Sequence, residues 1–288
     1  MANLSGLKTE ISSVGDITSI TDAMQLVASA KLRKAGKKIT ETQEYVSEVY
    51  SVFNDIIRQT DNSPFLKDDT SGIKKTLWVV VNSNLGLCGG YNANINRLVM
   101  GQLKPNDAIY ALGSKAVAFY TARKVNILKE NTSIDIDFSS QEASTIGKEL
   151  MDYYTTGEFD EIQLAYTKFI NNVTFEPTTL RLFPIIKNDD QNQKAEGDKN
   201  NMTVEFEPDA ETILEKTVTL YLNTVLYGTI IESQVSEQAS RRTAMDAATK
   251  NGKELTETLQ LKYNRERQAS ITQELSEIVA GANALQQK

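Results

Sequence analysis

Residues 4–20 read LSGLKTEISSVGDITSI, in which apolar residues recur at steps of three or four. This spacing is typical of an amphipathic helix whose apolar stripe repeats every 3.5 residues or so. The stripe extends well beyond the quoted segment. Its members are Leu4, Leu7, Ile11, Val14, Ile17, Ile20, Met24 and Val27, followed later by Val46, Tyr50, Phe53 and Ile57.

The C-terminal part of the chain carries a second stripe of the same kind. Every proline lies between Pro64 and Pro208, so both ends of the chain can form uninterrupted helix. We expect the second helix to begin at Asp209, with Glu211 in its first turn. Its apolar positions are Met245, Ala248, Gly252, Leu255 and Leu259, then Ile271, Leu275, Ile278, Ala282 and Leu285.

Neither long helix can bury its stripe alone, so the sequence predicts that the two helices pair as a coiled coil. The pair must be antiparallel, because the chain leaves one helix and enters the other from the same inserted domain. If residues 60 and 209 are level, residue 1 lies near position 268. About 20 residues of the second helix then lack a helical partner, and we expect another protein to supply a socket for them.

The middle of the chain is predicted to be a Rossmann-like α/β domain, residues 73–206, inserted between the helical segments 1–60 and 209–288. Residues 77–81 (LWVVV) have the composition of a strand buried on both faces. Helical stretches at 92–103, 115–124 and 141–155 alternate with strand-like stretches at 108–112, 134–138, 162–169 and 180–185. This alternation predicts a largely parallel sheet. The polar residues 188–201 are expected to form an exposed loop.

Composition argues against several kinds of function. Histidine is absent, which removes His-based nucleophiles, His acid–base chemistry and His-ligated zinc. A formal charge of −7 disfavours nucleic-acid binding. The sequence has no apolar run long enough for a membrane span and no secretory signal, and its single Cys88 fits a reducing compartment. We expect a non-catalytic protein of a cytoplasmic compartment, with no cofactor, although carboxylate- or lysine-based enzymes stay open.

The segment NSNLGLCGGYN, residues 82–92, lies between a predicted strand and a predicted helix, where a phosphate-binding loop would sit. We call it the glycine loop. Its glycines match neither phosphate-loop spacing, and no lysine follows them. We favour a structural or interface turn, in which Gly89 and Gly90 have structural roles. The alternative is a nucleotide-binding α/β protein that carries a helical hairpin.

Two further segments of the predicted helices are unusual. Lys31, Arg33, Lys34, Lys37 and Lys38 form a basic patch, which is either a solvated face or the complement of an acidic partner surface. Residues 236–252 (SEQASRRTAMDAATKNG) are rich in small side chains, which favours close helix approach or passage through a narrow sleeve. Arg241, Arg242, Arg265 and Arg267 are expected to form ordinary surface pairs with Glu237 or Glu266.

These segments resemble the γ subunit family of F-type ATP synthases. At the C-terminus the resemblance rests on Tyr263, Asn264, the run from Arg267 to Leu275 (RQASITQEL), Glu277, Ile278, Gly281 and Ala282. At the N-terminus it rests on Ile20, Thr21, Ala23, Met24, Val27, Ala28 and Lys31, and in the middle on residues 86–92 (GLCGGYN). The resemblance spans residues 4–285 and is weakest from about 126 to 206.

The resemblance implies a central-stalk rotor that couples rotation of a membrane c-ring to conformational change at catalytic β subunits. The implied partners are the α and β subunits, the ε subunit and the c-ring. Arg267, Gln268 and Thr272 match positions that contact β, and Lys31, Arg33 and Lys34 would face acidic β loops. Phe206 and Glu207 match the foot that meets the ring. The implied location is peripheral, on the cytoplasmic face of the cell membrane, and a divergent motor of the same kind is the alternative.

Overall fold

The structure, a computed structural model, describes residues 4–60, 63–67, 72–135, 137–186, 207 and 209–286. The helices of the described chain are α1 (Leu4–Gln59), α2 (Tyr91–Met100), α3 (Ser114–Ala122), α4 (Ser140–Thr155) and α5 (Ala210–Gln286). The strands are β1 (Leu66–Lys67), β2 (Thr76–Val81), β3 (Ala108–Leu112), β4 (Ile127–Asn131), β5 (Glu161–Phe169), β6 (Phe175–Phe183) and β7 (Ile185–Ile186). The predicted long helices at both ends of the chain are confirmed.

The chain divides into two compact units. The first, the terminal unit, contains Met1–Ala28 and Arg242–Lys288. The second, the central unit, contains Ser29–Arg241. This division falls inside both long helices, whereas the sequence suggested segments 1–60, 73–206 and 209–288, and those segments stay a prediction.

The two helical segments of the terminal unit run antiparallel, as predicted. The Thr21 and Thr249 hydroxyls share a hydrogen bond of 2.8 Å, and Gln25 Nε2 donates to Asp246 Oδ1 at 2.8 Å. Gly252 faces Thr18 so closely that a Cβ at Gly252 would overlap the Thr18 hydroxyl. Residue numbers therefore rise along α1 as they fall along α5. The observed register agrees closely with the expectation that the N-terminus lies near residue 268.

The seam between these helices follows a strict heptad, which corrects part of the predicted stripe. Within the terminal unit, the half-buried or buried positions of α1 are Leu4, Gly6, Leu7, Ile11, Val14, Gly15, Thr18, Thr21, Met24, Gln25 and Ala28. Ile17, Ile20 and Val27 are instead 60%, 59% and 57% exposed. On α5, Thr256 is half buried, whereas Leu255 is exposed. The 3.5-residue repeat of a coiled coil fixes which positions face the partner helix. Polar and small residues therefore occupy some seam positions, although apolar residues are adjacent to them in the sequence.

The last part of α5 is not covered by any described residue of the terminal unit. Leu259 is buried, and half-buried positions continue to Ser270. From residue 271 to residue 283 every side chain is exposed, including Ile271, Leu275 and Ile278. This confirms the expected unpaired tip.

The central unit is built on a five-stranded sheet in the order β4-β3-β2-β5-β6. Strands β2, β3, β4 and β5 are parallel, and β6 pairs antiparallel with β5. A separate two-stranded parallel pair joins β1 to β7. The largely parallel α/β sheet predicted from the alternation of elements is therefore present.

The central strand β2 is buried on both faces, as its LWVVV composition predicts. On one face Leu77, Val79 and Val81 join a core that includes Leu222 and Leu226 of α5. On the other face Trp78 and Val80 pack with Ile95 of α2 and with Ala116 and Tyr120 of α3. The alternation of side chains along a strand sends successive residues into these two cores.

The described residues of the segment 134–138 form no strand, contrary to prediction, and β4 lies earlier, at Ile127–Asn131. Strand β4 is an edge strand, which tolerates polar residues such as Lys129 and Glu130. The carbonyls of Ile134 and Asp135 instead accept hydrogen bonds from side chains, Asn84 Nδ2 at 2.7 Å and Gln234 Nε2 at 2.6 Å. Side-chain donors, rather than a neighbouring strand, therefore satisfy these two carbonyls.

Candidate partner interfaces

The glycine loop is attached to α5 by the side chain of Arg241. Arg241 Nη2 donates to the carbonyl oxygens of Leu85 at 3.0 Å and Gly86 at 3.2 Å, and Arg241 Nε donates to Gly86 O at 3.3 Å. Ser240 Oγ donates to Cys88 O at 2.6 Å. The loop thus directs several carbonyl oxygens at α5, within the central unit.

This geometry is unsuitable for a phosphate. A phosphate-binding loop presents backbone N–H groups to the anion, whereas carbonyl oxygens of this loop are committed to a guanidinium. Gly89 has a φ of 56° and permits the turn into α2, and Gly90 is the N-cap of that helix. The loop geometry agrees with our preference for a structural turn over a nucleotide site.

Arg241 also pairs with Glu237 one helical turn earlier, Nη1 to Oε1, at 2.6 Å. Their side chains are only 7% and 14% exposed, so the expectation of an ordinary surface pair is wrong for Arg241. Burial raises the pKa of Glu237 above its usual range, while Arg241 and Lys31 act in the opposite direction. Sequence reasoning gave the pairing with Glu237 from the spacing of four residues, but it missed the burial of the pair.

The predicted basic patch on α1 is partly matched within the chain itself. Arg33 and Lys37 are exposed, and Lys31 is half buried. Lys34 Nζ lies 2.6 Å from Asp137 Oδ1, with both side chains more than half exposed. The hydrogen bond from Lys34 is the main reason that the pKa of Asp137 is lowered. An exposed pair of this kind contributes little to stability, so Lys34 can exchange Asp137 for a partner's carboxylate.

The other predicted contact residues are distributed over α5 and the segment before it. Arg267, Gln268 and Thr272 are all exposed, and Thr272 Oγ1 donates to Gln268 O at 2.9 Å within the helix. Glu207 is exposed. Phe206 lies outside the described residues, so its predicted contact stays a prediction.

Exposed apolar side chains lie along both helices of the terminal unit, and sequence reasoning placed four of them, Ile17, Ile20, Val27 and Leu255, in the buried stripe. On α1 these are Ile17, Ile20, Leu26 and Val27, and on α5 they include Leu255, Leu261, Ile271, Leu275, Ile278 and Val279. Isolated exposed apolar residues are ordinary, but a series of them along paired helices is typical of a protein contact surface. Counting heptad positions from Leu4 would have assigned Ile17 and Ile20 to the outside.

Other kinds of site find no support in the part of the chain that the structure describes. No described helix combines the length and the apolar character that crossing a bilayer demands. Among the same residues, no group of three or more Cys, Asp or Glu side chains is arranged to hold a metal ion.

Comparison with known proteins gives a consistent result over the whole length. A family model described as ATP synthase matches residues 3–285. A protein named ATP synthase gamma chain from Mesoplasma florum is 64% identical over 285 residues, covering 99% of each chain. Its namesake in Mycoplasma capricolum is 62% identical over 283 residues, covering 98% of this chain and 99% of the relative.

Solved structures show the same fold at low identity. A chain of the Euglena gracilis mitochondrial ATP synthase superposes with a TM-score of 0.71 at 19% identity, over 98% of this chain and 94% of that one. A second chain, from the rotor of the same assembly, superposes with a TM-score of 0.68 at 18% identity, over 93% and 98%.

Proposed function

Since the chain belongs to the ATP synthase gamma chain family, we propose that it is the central shaft of an F-type ATP synthase. It is a non-catalytic subunit, and ATP is made or hydrolysed at the β subunits around it. The shaft couples rotation of the membrane c-ring to sequential conformational change at those subunits. A divergent motor of the same construction stays the alternative.

The long helices α1 and α5 are the part of the chain that contacts the catalytic ring. Arg267, Gln268 and Thr272 contact β, and the basic residues Lys31, Arg33 and Lys34 face acidic β loops. The exposed state of Arg267, Gln268, Thr272 and Arg33 supports this, because a contact residue must be accessible before assembly. The exposed tip from Ile271 onward occupies a socket formed by the α and β subunits.

Coupling follows from shape and stiffness. A helix pair has different side chains on each side, so at any angle it contacts the three catalytic subunits differently. Its angle therefore biases which site is empty, loaded or closed, and rotation changes affinity in sequence. Two packed helices resist twisting better than one, which is why the heptad seam matters for transmitting torque.

The inserted α/β domain, residues 73–206, is the foot of the shaft, and the segments 1–60 and 209–288 form the shaft itself. The foot contacts the ε subunit and the c-ring, and Phe206 and Glu207 lie in the region that meets the ring. The complex is membrane-bound and this subunit is peripheral to it. We place it on the cytoplasmic face of the cell membrane.

The observation that carries this proposal is the antiparallel helix pair with an unpaired, apolar C-terminal tip. Deleting residues 269–288 should preserve folding of the central unit but abolish coupled ATP synthesis in membranes. The full chain should copurify with α and β subunits. A full chain that stays monomeric in the presence of α and β subunits would contradict the proposal.

Point variants on α5 test the same assignment more finely. Arg267→Ala removes a proposed β contact, and Arg265→Ala removes an exposed arginine from the same stretch of helix as a matched control. We expect Arg267→Ala to reduce ATP synthesis more than it reduces assembly, with Arg265→Ala close to wild type. Equal effects of the two variants would remove the assignment of Arg267.

A further inference from the structure

A small polar cavity lies where β2 ends and meets the glycine loop and α5. Its volume is about 50 Å³, and its lining includes Lys31, Asn82, Gln234, Glu237 and Arg241. All of these residues belong to the central unit. The cavity is therefore placed at the attachment between the sheet and the long C-terminal helix.

Two amide oxygens at this cavity have no hydrogen-bond partner among the described residues. Asn82 Nδ2 donates to Asn96 Oδ1 at 2.8 Å, and Gln234 Nε2 donates to Asp135 O at 2.6 Å, so each amide nitrogen has a protein partner. Within the described structure, Asn82 Oδ1 and Gln234 Oε1 accept no hydrogen bond. Each residue is only 7% exposed. Buried polar atoms in native proteins are almost always paired, with protein or with ordered water.

The size and charge of the cavity select its occupant. A water molecule needs roughly 10–15 Å³ of such volume and two to four polar partners, so this cavity has room for a few. A cation would sit beside the positive Lys31 and Arg241, and an anion beside Glu237. Neutral water can donate to both amide oxygens and accept from the charged donors, so it fits every group at the cavity.

We propose that this cavity is an internal water site, in which ordered water donates hydrogen bonds to Asn82 Oδ1 and Gln234 Oε1. The water ties the carboxyl end of β2 to α5, beside the direct bonds that Arg241 and Ser240 make to the glycine loop. The site does not depend on the proposed rotary function and goes beyond it, since it concerns how the sheet is fixed to the helix.

The direct test is an experimental structure of the full chain, or of its assembled complex, at a resolution that shows ordered water. We expect separate density peaks within hydrogen-bond distance of both Asn82 Oδ1 and Gln234 Oε1. An empty cavity, or side chains turned to satisfy each other without water, would overturn the proposal. A thallium soak that gives an anomalous peak there would also overturn it, because the occupant would then be a monovalent cation.

Thermal unfolding of variants gives an independent test. If one water network joins the two oxygens, Asn82→Ala and Gln234→Ala disrupt the same network. The fall in Tm of the double variant should then be smaller than the sum of the single falls by at least about 2 °C. Gln163, whose amide donates to Glu161 outside the cavity, provides the control. Asn82→Ala with Gln163→Ala should be additive, and additivity of the Asn82 and Gln234 pair would contradict a shared water.

Discussion

Replacing Arg241 with methionine should detach the glycine loop from α5 and leave the Glu237 carboxylate without its cationic partner. The guanidinium donates to Leu85 O, Gly86 O and Glu237 Oε1, and methionine keeps most of its volume while removing every donor. Glu237 would then be a buried charge without its principal partner. Because burial already raises the pKa of Glu237, the loss of Arg241 should raise that pKa further.

The size of the effect depends on pH. Removing one partner of a buried ion pair costs about 3–5 kcal/mol. Protonation limits the cost of the stranded charge, because neutralising a carboxyl costs about 1.4 kcal/mol for each pH unit above its ordinary pKa of 4.5. That limit is about 3.4 kcal/mol at pH 7 and about 1.4 kcal/mol at pH 5.5.

The sign follows from proton linkage. The folded variant has the raised pKa, so between that pKa and 4.5 the folded state binds more protons than the unfolded state. Its stability therefore rises as the pH falls through this window. We expect the stability deficit of Arg241→Met, relative to wild type, to shrink between pH 7 and pH 5.5, by at most about 2 kcal/mol.

Urea denaturation of the full chain at both pH values measures this deficit. Arg242→Met is the matched control, because it removes a guanidinium from the next residue, about 100° around the helix. If the stability deficit of Arg241→Met is identical at pH 7 and pH 5.5, the unpaired Glu237 carboxylate is not the cause of that deficit. An equal deficit for Arg242→Met would refute the special role of Arg241.

Five other substitutions, two of them comparison variants, test packing and helix capping. Gly113 has a φ of 98° and a Cβ there would overlap Asn82 O, so Gly113→Ala should cost at least about 3 kcal/mol in urea denaturation. Gly157→Ala, with a φ of 73° and open space around it, should cost less. If the two variants lose similar stability, backbone strain rather than the overlap with Asn82 O accounts for the cost at Gly113. Gly252→Ala should destabilise the helix pair by overlapping Thr18, whereas Gly281→Ala on the exposed tip should add up to about 1 kcal/mol of helix stability. Thermal unfolding that ranks these two variants the other way would contradict the register. Ser139 and Glu142 form a capping box on α4, so Ser139→Ala should lose about 1 kcal/mol, and an unchanged Tm would mean that the cap is dispensable.

The sequence predicted the antiparallel helix pair and its unpaired tip because both follow from chain-wide patterns. The positions Leu4, Leu7, Ile11 and Val14 are apolar and also face the seam, so the pattern and the packing agree there. After Val14 they diverge, since Thr18 and Thr21 face inward while Ile17 and Ile20 face outward. Hydrophobicity alone does not distinguish a residue that packs in the seam from an apolar residue on an exposed face of the helix.

Features that depend on tertiary contacts were not predictable in the same way. The carbonyls of residues 134 and 135 accept hydrogen bonds from the side chains of Asn84 and Gln234, which are distant in sequence. The alternating pattern of that segment could not reveal these partners. Arg241 lies among small residues on a helix, and its burial depends on the glycine loop folding against it. Local spacing correctly gave its pairing with Glu237 and could not give its environment.

Rotation of this chain inside the assembled complex is the most direct test of the central claim. Gln102 is exposed and Cys88 is only 3% exposed, so Gln102→Cys provides a single accessible site for a visible probe. With the α and β subunits immobilised and ATP supplied, the account predicts stepwise rotation of the probe in one direction. A probe that stays still while the complex hydrolyses ATP would contradict it.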